Sequence, residues 1–196
     1  MISHVLYLHG FRSSPQSFKA RLLHAWLRQH APDVTWWCPQ LPVSPREAWQ
    51  QVIGGISDWP LHAMAVLGSS LGGFYASAVA EQSGCRAVVL NPAVEPARDL
   101  VHHVGEQAAY HDPAQRFVFK ASYIDELRAL TPGRLTRMSR YAAVLAKGDE
   151  LLDWREMSQC YAGARVKLLE GSDHALSDFD QHLDFVLDFL ALSSRH

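Results

Sequence analysis

Ala65-Val66-Leu67-Gly68-Ser69-Ser70-Leu71-Gly72-Gly73-Phe74 is the stretch that decides the fold. An apolar run enters a G-x-S-x-G match at Gly68, Ser70 and Gly72, and the helix-prone Tyr75-Ala76-Ser77-Ala78-Val79-Ala80 follows. Strand, sharp turn and helix in that order are the context of a nucleophile elbow, where small neighbours let the chain turn and lift a serine hydroxyl above a sheet. The helix that starts there aims backbone N–H groups and a positive dipole end at whatever Ser70 attacks. The same five letters also arise in plain Gly/Ser-rich turns, so the rest of the chain has to carry the reading.

Upstream, residues 2–8 form an apolar run closed by His9-Gly10, a buried strand by pattern. Ser14 and Pro15 read as N-cap and first position of a helix reaching about Arg28, with Phe18, Leu22, Leu23, Trp26 and Leu27 on one face. Residues 34–38 give a second strand. Ser44-Pro45-Arg46-Glu47 repeats the cap-plus-proline signature and opens a helix through Trp49, Val52 and Ile53, and residues 63–67 are the third strand. Downstream, residues 87–90, 142–146 and 166–169 supply three more strands, and Leu183, Val186, Leu187 and Leu190 give the last helix a core-facing stripe. Strands alternating with helices predict an α/β fold with a doubly wound parallel sheet. Residues 92–141 break the alternation with a connection longer than one crossover helix needs. It contains a helix at 123–130 and the aromatic residues Tyr110, Phe117, Phe119 and Tyr123. Such a segment reads as a cap or lid inserted in a single domain spanning residues 1–196.

The chain has 196 residues, 48% hydrophobic and 19% charged, which suits one soluble globular domain. Net charge is −2 with no basic stripe, so nucleic acid is not an expected partner. Three widely spaced cysteines, Cys38, Cys85 and Cys160, suggest neither a disulfide framework nor a zinc site. No secretion signal and no bilayer-length apolar run is visible, so the expected location is cytoplasmic, without a membrane partner. Neither G-x-x-x-x-G-K-[ST] nor G-x-G-x-x-G occurs, and no cofactor or metal is expected. Nothing in the chain bears on its oligomeric state.

A serine hydroxyl needs an adjacent base, and the base needs an orienting acid. Gly148-Asp149-Glu150 follows the fifth strand and Gly171-Ser172-Asp173-His174 follows the sixth. Residues just past successive parallel strands converge at the carboxyl edge of the sheet, where ligands bind. Ser70, Asp149 and His174 therefore form the expected triad, in the chain order of α/β-hydrolases. Asp153 is the alternative acid, although Asp153-Trp154-Arg155-Glu156 reads as a helix start with an aspartate N-cap. Asp173 adjoins His174, and adjacent side chains diverge. The oxyanion requires two N–H donors. Leu71, directly after the nucleophile, supplies one, and Phe11, in the loop after the first strand, is the expected second. His9 reads as a supporting residue of that loop. Arg12 and Ser69 are candidate substrate contacts, Arg12 for an anionic group or else lying in solvent.

His9-Gly10-Phe11, Gly68-Ser69-Ser70-Leu71-Gly72-Gly73, Asn91-Pro92-Ala93, Gly148-Asp149-Glu150 and Gly171-Ser172-Asp173-His174-Ala175 together resemble the small bacterial YqiA/YcfP-type esterases of the α/β-hydrolase superfamily. The resemblance implies a six-stranded sheet of order 2-1-3-4-5-6, lacking the superfamily's first two strands, with a helical cap after the fourth strand. It implies hydrolysis of short-acyl carboxylic esters, with thioesterase activity as a further possibility. Ser70, Asp149 and His174 match the family's triad positions, and Phe11 matches its oxyanion loop. The expected function is thus a cofactor-independent serine hydrolase acting on a small-molecule ester. A thioesterase or acyltransferase with the same triad, and a non-catalytic binding protein on the same scaffold, are the alternatives.

Overall fold

Six short runs pair side by side, the four central ones rich in Val, Leu and Ala and buried on both faces, the two outer ones more exposed. In the computed structural model, which describes residues 1–110 and 112–192, they are β1 (His4–Leu8), β2 (Thr35–Trp37), β3 (Met64–Ser69), β4 (Arg86–Leu90), β7 (Tyr141–Ala146) and β8 (Arg165–Leu169). All neighbours are parallel, in the order β2-β1-β3-β4-β7-β8. The expected order 2-1-3-4-5-6 counted sheet strands only. Two further strands, β5 (Gly105–Ala108) and β6 (Arg116–Phe119), intervene in the chain and form a separate antiparallel pair.

Side chains of successive strand residues go to opposite faces. Leu6, Leu8, Val66, Val89, Ala143 and Leu145 enter one core cluster, packed with residues of α2 (Pro45–Gly55) and α3 (Leu71–Ser83). Val5, Tyr7, Ala65, Leu67, Val88, Leu90 and Val144 enter the other, beneath α1 (Phe18–His30) and α7 (Leu183–Leu190). A parallel sheet covered on both faces is the physical reason its strands read as unbroken apolar runs. The elbow helix α3 is buried along every residue from Leu71 to Ala80, so it lacks the amphipathic stripe of a surface helix. Among the described residues no helix is long and apolar enough to cross a membrane.

The start of α1 differs from the expectation. Ser14 and Pro15 lie in a turn, closed by Ser17 N–H on the Ser14 carbonyl at 3.1 Å, and the helix begins at Phe18. Its buried face is Lys19, Ala20, Leu23 and Leu27, whereas Phe18 is exposed and Leu22 and Trp26 are half-buried. Rotation of that face puts a lysine under the sheet edge. The second cap signature holds as read: Ser44 Oγ accepts Glu47 N–H at 3.3 Å and Pro45 opens α2.

Residues 92–141 leave the sheet as α4 (Pro96–Asp99), the β5–β6 hairpin and α5 (Ser122–Leu130). The excursion is therefore not purely helical. Arg116-Phe117-Val118-Phe119 alternates with Phe119 buried and Val118 exposed, a two-residue period that suits a strand. Glu126 of α5 ties the excursion to helix α2. Its Oε2 accepts Ser44 Oγ at 2.7 Å and Arg46 N–H at 3.0 Å, at the positive end of α2.

Candidate active site

Ser70 stands between β3 and α3 with φ 56° and ψ −122°, a backbone region that costs a non-glycine residue about 1–3 kcal/mol. The surroundings hold it there: Ser70 N–H donates to the Leu90 carbonyl, and Ala93 N–H donates to the Ser70 carbonyl, each at 3.0 Å. The glycines flanking the serine are required by close approach. A Cβ on Gly68 would strike the Gly72 carbonyl, and one on Gly72 would strike the Leu8 carbonyl. The elbow helix can pack this tightly on β1 and β3 only without those side chains.

His174, past β8, brings Nε2 to 3.0 Å from Ser70 Oγ. Its Nδ1 lies 2.8 Å from Oδ2 of Asp149, past β7. An ionised carboxylate only accepts, so Nδ1 carries the proton and Nε2 faces the serine hydroxyl as acceptor. The Asp149 side chain is 0% exposed, and its Oδ1 accepts the N–H groups of Leu151 and Leu152 at 2.9 and 2.8 Å. Glu150 adds a bond to the His174 backbone N–H at 3.0 Å. The three residues expected to meet do so, from three loops at one sheet edge.

Asp153 is elsewhere employed. Its Oδ1 accepts Arg155 N–H at 2.9 Å as N-cap of α6 (Trp154–Cys160). Asp173 closes its own loop by accepting Ser177 N–H and Oγ–H at 2.9 and 2.6 Å, bonds that hold its carboxyl below the usual range.

The loop after β1 lies directly over the serine. A Cβ on Gly10 would sit 3.1 Å from Ser70 Cβ and 3.6 Å from its Oγ. Phe11 follows, and Leu71 opens α3, where a first-turn N–H has no intrahelical acceptor. Both expected donors thus belong to segments bordering Ser70. His9 is 4% exposed, and its Nε2 accepts Leu41 N–H at 3.1 Å, so Nδ1 is the protonated nitrogen; it donates to the Gly10 carbonyl at 2.9 Å. Arg12 is half-buried: Nε donates to the Ala108 carbonyl of β5 at 2.6 Å, and the guanidinium lies 4.3 Å from the Tyr110 ring centroid. Ser69 is 7% exposed at the end of β3, opposite Leu90 of β4.

Two residues of the site were not singled out for it by the sequence. Asn91, 0% exposed, bonds the end of β7 and the backbone of the His174 loop. Its signal is an Asn–Pro pair closing a buried strand. Lys19, 8% exposed, donates from Nζ to the Ala175 carbonyl. Burial lowers its pKa to about 8, while the negative charges of Asp173 and Asp149 work in the opposite direction. Its signal is a lysine at an apolar-face position of α1. Among the described residues no group of three His, Cys, Asp or Glu side chains is placed to hold a metal ion. Chemically, the arrangement can remove a proton from a serine and offer backbone N–H groups nearby.

The model of an uncharacterised protein family, UPF0227, matches residues 4–191. A UPF0227 protein of Vibrio atlanticus (strain LGP32) is 24% identical over 192 residues, covering 94% of this chain and 98% of that protein. Among solved structures, the mouse alpha/beta hydrolase domain-containing protein 10 superposes with a TM-score of 0.71 at 15% identity, covering 95% of this chain and 90% of that one. Est1E from Butyrivibrio proteoclasticus gives 0.68 at 12% identity, with 97% and 89% covered. A structure of the metagenome-derived lipolytic enzymes LipS and LipT gives 0.66 at 19% identity, with 96% and 93% covered. The fold is that of the α/β-hydrolases.

Proposed function

The chain belongs to the uncharacterised protein family UPF0227, and from that membership and its site geometry we propose that it is a serine hydrolase of small carboxylic esters. The observation that carries the reading is the chain of contacts Ser70 Oγ, His174 Nε2, His174 Nδ1 and Asp149 Oδ2, at 3.0 and 2.8 Å, on a strained elbow. A binding site needs no such relay. The lipolytic enzymes among the structural neighbours are consistent with it.

In the proposed reaction His174 Nε2 takes the Ser70 proton as Oγ attacks the ester carbonyl carbon. Asp149 holds the imidazole tautomer and stabilises the imidazolium. The tetrahedral oxyanion is received by the Phe11 and Leu71 N–H groups. His174 then protonates the departing alcohol, which leaves an acyl-serine. Water, deprotonated by His174, releases the acid and restores Ser70. The carbonyl chemistry is the same for a thioester, so the leaving group is set by the surroundings of the serine.

The test is intact-mass analysis after exposure to a fluorophosphonate, with Ser70→Ala beside the wild type. One adduct on the wild type and none on the variant is the expected result, with turnover of short-acyl esters falling about a thousandfold or more in the variant. No adduct on either protein would remove the hydrolase reading. A panel pairing each ester with its thioester then ranks the two substrate classes by kcat/KM.

A further inference from the structure

One half of the expected oxyanion hole is held by the cap. Phe11, whose N–H is the proposed donor, packs its ring among three aromatic rings of residues 92–141. Its centroid lies 5.1 Å from Phe119, 6.0 Å from Phe117 and 5.6 Å from His103, all in edge-to-face arrangement. The next residue, Arg12, is fastened to the same hairpin by three contacts. Its Nε donates to the Ala108 carbonyl at 2.6 Å, its guanidinium stacks on Tyr110, and its own carbonyl accepts Tyr110 N–H at 2.8 Å. Arg12 has φ 60°, a conformation a bulky residue adopts only when its surroundings impose it.

On the sheet side the loop is gripped one residue earlier, where the Gly10 carbonyl accepts His9 Nδ1–H and Ser13 N–H at 2.9 and 3.2 Å. The Phe11 amide therefore sits between a sheet-side grip on Gly10 and a cap-side grip on Arg12. Oxyanion stabilisation depends on donors fixed in place before charge develops. A displacement of about 1 Å in such a group can cost on the order of a hundredfold in rate.

We propose that Arg12 is a positioning residue of the reaction, holding the Phe11 N–H in line by clasping the oxyanion loop to cap strand β5. This rests on the hydrolase reading above. It also reassigns Arg12 from substrate contact to part of the scaffold, since Nε and one guanidinium face are engaged by Ala108 and Tyr110.

The experiment compares Arg12→Ala, Arg12→Lys and Tyr110→Ala with the wild type. The readouts are the rate of fluorophosphonate labelling, kcat and KM on a neutral and an anionic short-acyl ester, and the thermal midpoint. Ala adopts the φ of this position no worse than Arg, so the first variant removes the side chain alone. Tyr110 is largely exposed, so its replacement keeps the test readable if Arg12→Ala fails to fold. The expected result is a loss of about 10- to 100-fold in kcat and labelling rate for Arg12→Ala, equal on both esters, with KM within about threefold. Tyr110→Ala should lose less in the same direction, and Arg12→Lys should recover part of the rate. A labelled wild type with an Arg12→Ala protein of undiminished rate overturns the inference and leaves the hydrolase reading standing. So does a loss confined to the KM of the anionic ester. An unlabelled wild type overturns both.

Discussion

The Asn91 side-chain amide donates to the backbone carbonyl of His174 at 3.2 Å, across 83 residues of chain. The same Nδ2 reaches the Asp173 carbonyl at 3.0 Å, and Oδ1 accepts Ala146 N–H at 2.8 Å. One fully buried side chain thus ties the end of β4 to the end of β7 and to the histidine loop. Its φ of 41° is a left-handed value that asparagine tolerates better than most residues. The hydrogen bonds of the Asn91 side chain all go to backbone groups, and they fix the backbone from which His174 reaches.

Replacing Asn91 by Ala leaves a buried N–H and two carbonyls without their partner, and the expected loss is about 3 kcal/mol of stability. Asn91→Asp keeps the Ala146 bond but turns an acceptor toward the two carbonyls, so its kcat should fall at least as far as that of Asn91→Ala. Urea unfolding and ester kcat measured on both variants check this. Wild-type values in either measurement would remove Asn91 from the support of the site.

The two candidate acids are separated by substitution. Asp149→Asn leaves a side chain that no longer fixes the His174 tautomer, and kcat should fall by about 10²- to 10⁴-fold. Asp153→Asn remains a good N-cap for α6, so both kcat and thermal midpoint should stay near wild type. Equal losses in the two variants would contradict the assignment of Asp149.

What the sequence conveyed and what it did not divide along a physical line. Strands β1, β3, β4 and β7 were legible because a sheet buried on both faces writes itself as apolar runs. The meeting of Ser70, Asp149 and His174 was legible because parallel strands bring their following residues to one edge. The β5–β6 hairpin was not legible, since Gly105-Glu106-Gln107-Ala108 has no strand-like apolar alternation and owes its conformation to pairing with β6. The start of α1 was misplaced because the Ser14-Pro15 signature is local. Lys19 and Asn91 were missed as site residues because each acts on a carbonyl far along the chain, in Ala175 for the first and in Asp173 and His174 for the second.

His9 offers a test of the sheet-side grip on the proposed oxyanion loop. The Gly10 carbonyl and the Phe11 N–H belong to one planar trans peptide, so holding one fixes the direction of the other. Asparagine places an N–H donor near the position of Nδ1, and glutamine places its amide near Nε2. His9→Asn should therefore retain more kcat than His9→Gln, which is expected to lose about 10- to 100-fold. The comparison is made on kcat with KM recorded beside it. The reverse ranking would show that the bond to Leu41, and not that to Gly10, is what the site requires.

Lys19 makes the stability of the protein depend on pH in the alkaline range. Burial lowers its pKa from the ordinary 10.5 to about 8. Between those values the unfolded chain still holds a proton that the folded chain has released, so stability rises with pH. The contribution is fully present above 10.5 and is lost as pH falls through 8. The shift corresponds to about 3 kcal/mol. Burial raises the pKa values of Tyr7 and Tyr141, and their titration acts in the opposite sense, so the measurement has to be differential. Lys19→Met removes the titrating group and leaves those tyrosines in place. The unfolding free energy of the wild type minus that of Lys19→Met, from urea titrations at intervals between about pH 7 and pH 10.5, should climb by about 3 kcal/mol. A difference that stays flat would mean that the Lys19 ammonium is as well stabilised beneath the His174 loop as in the unfolded chain, and one that declines would mean that the fold favours the ammonium.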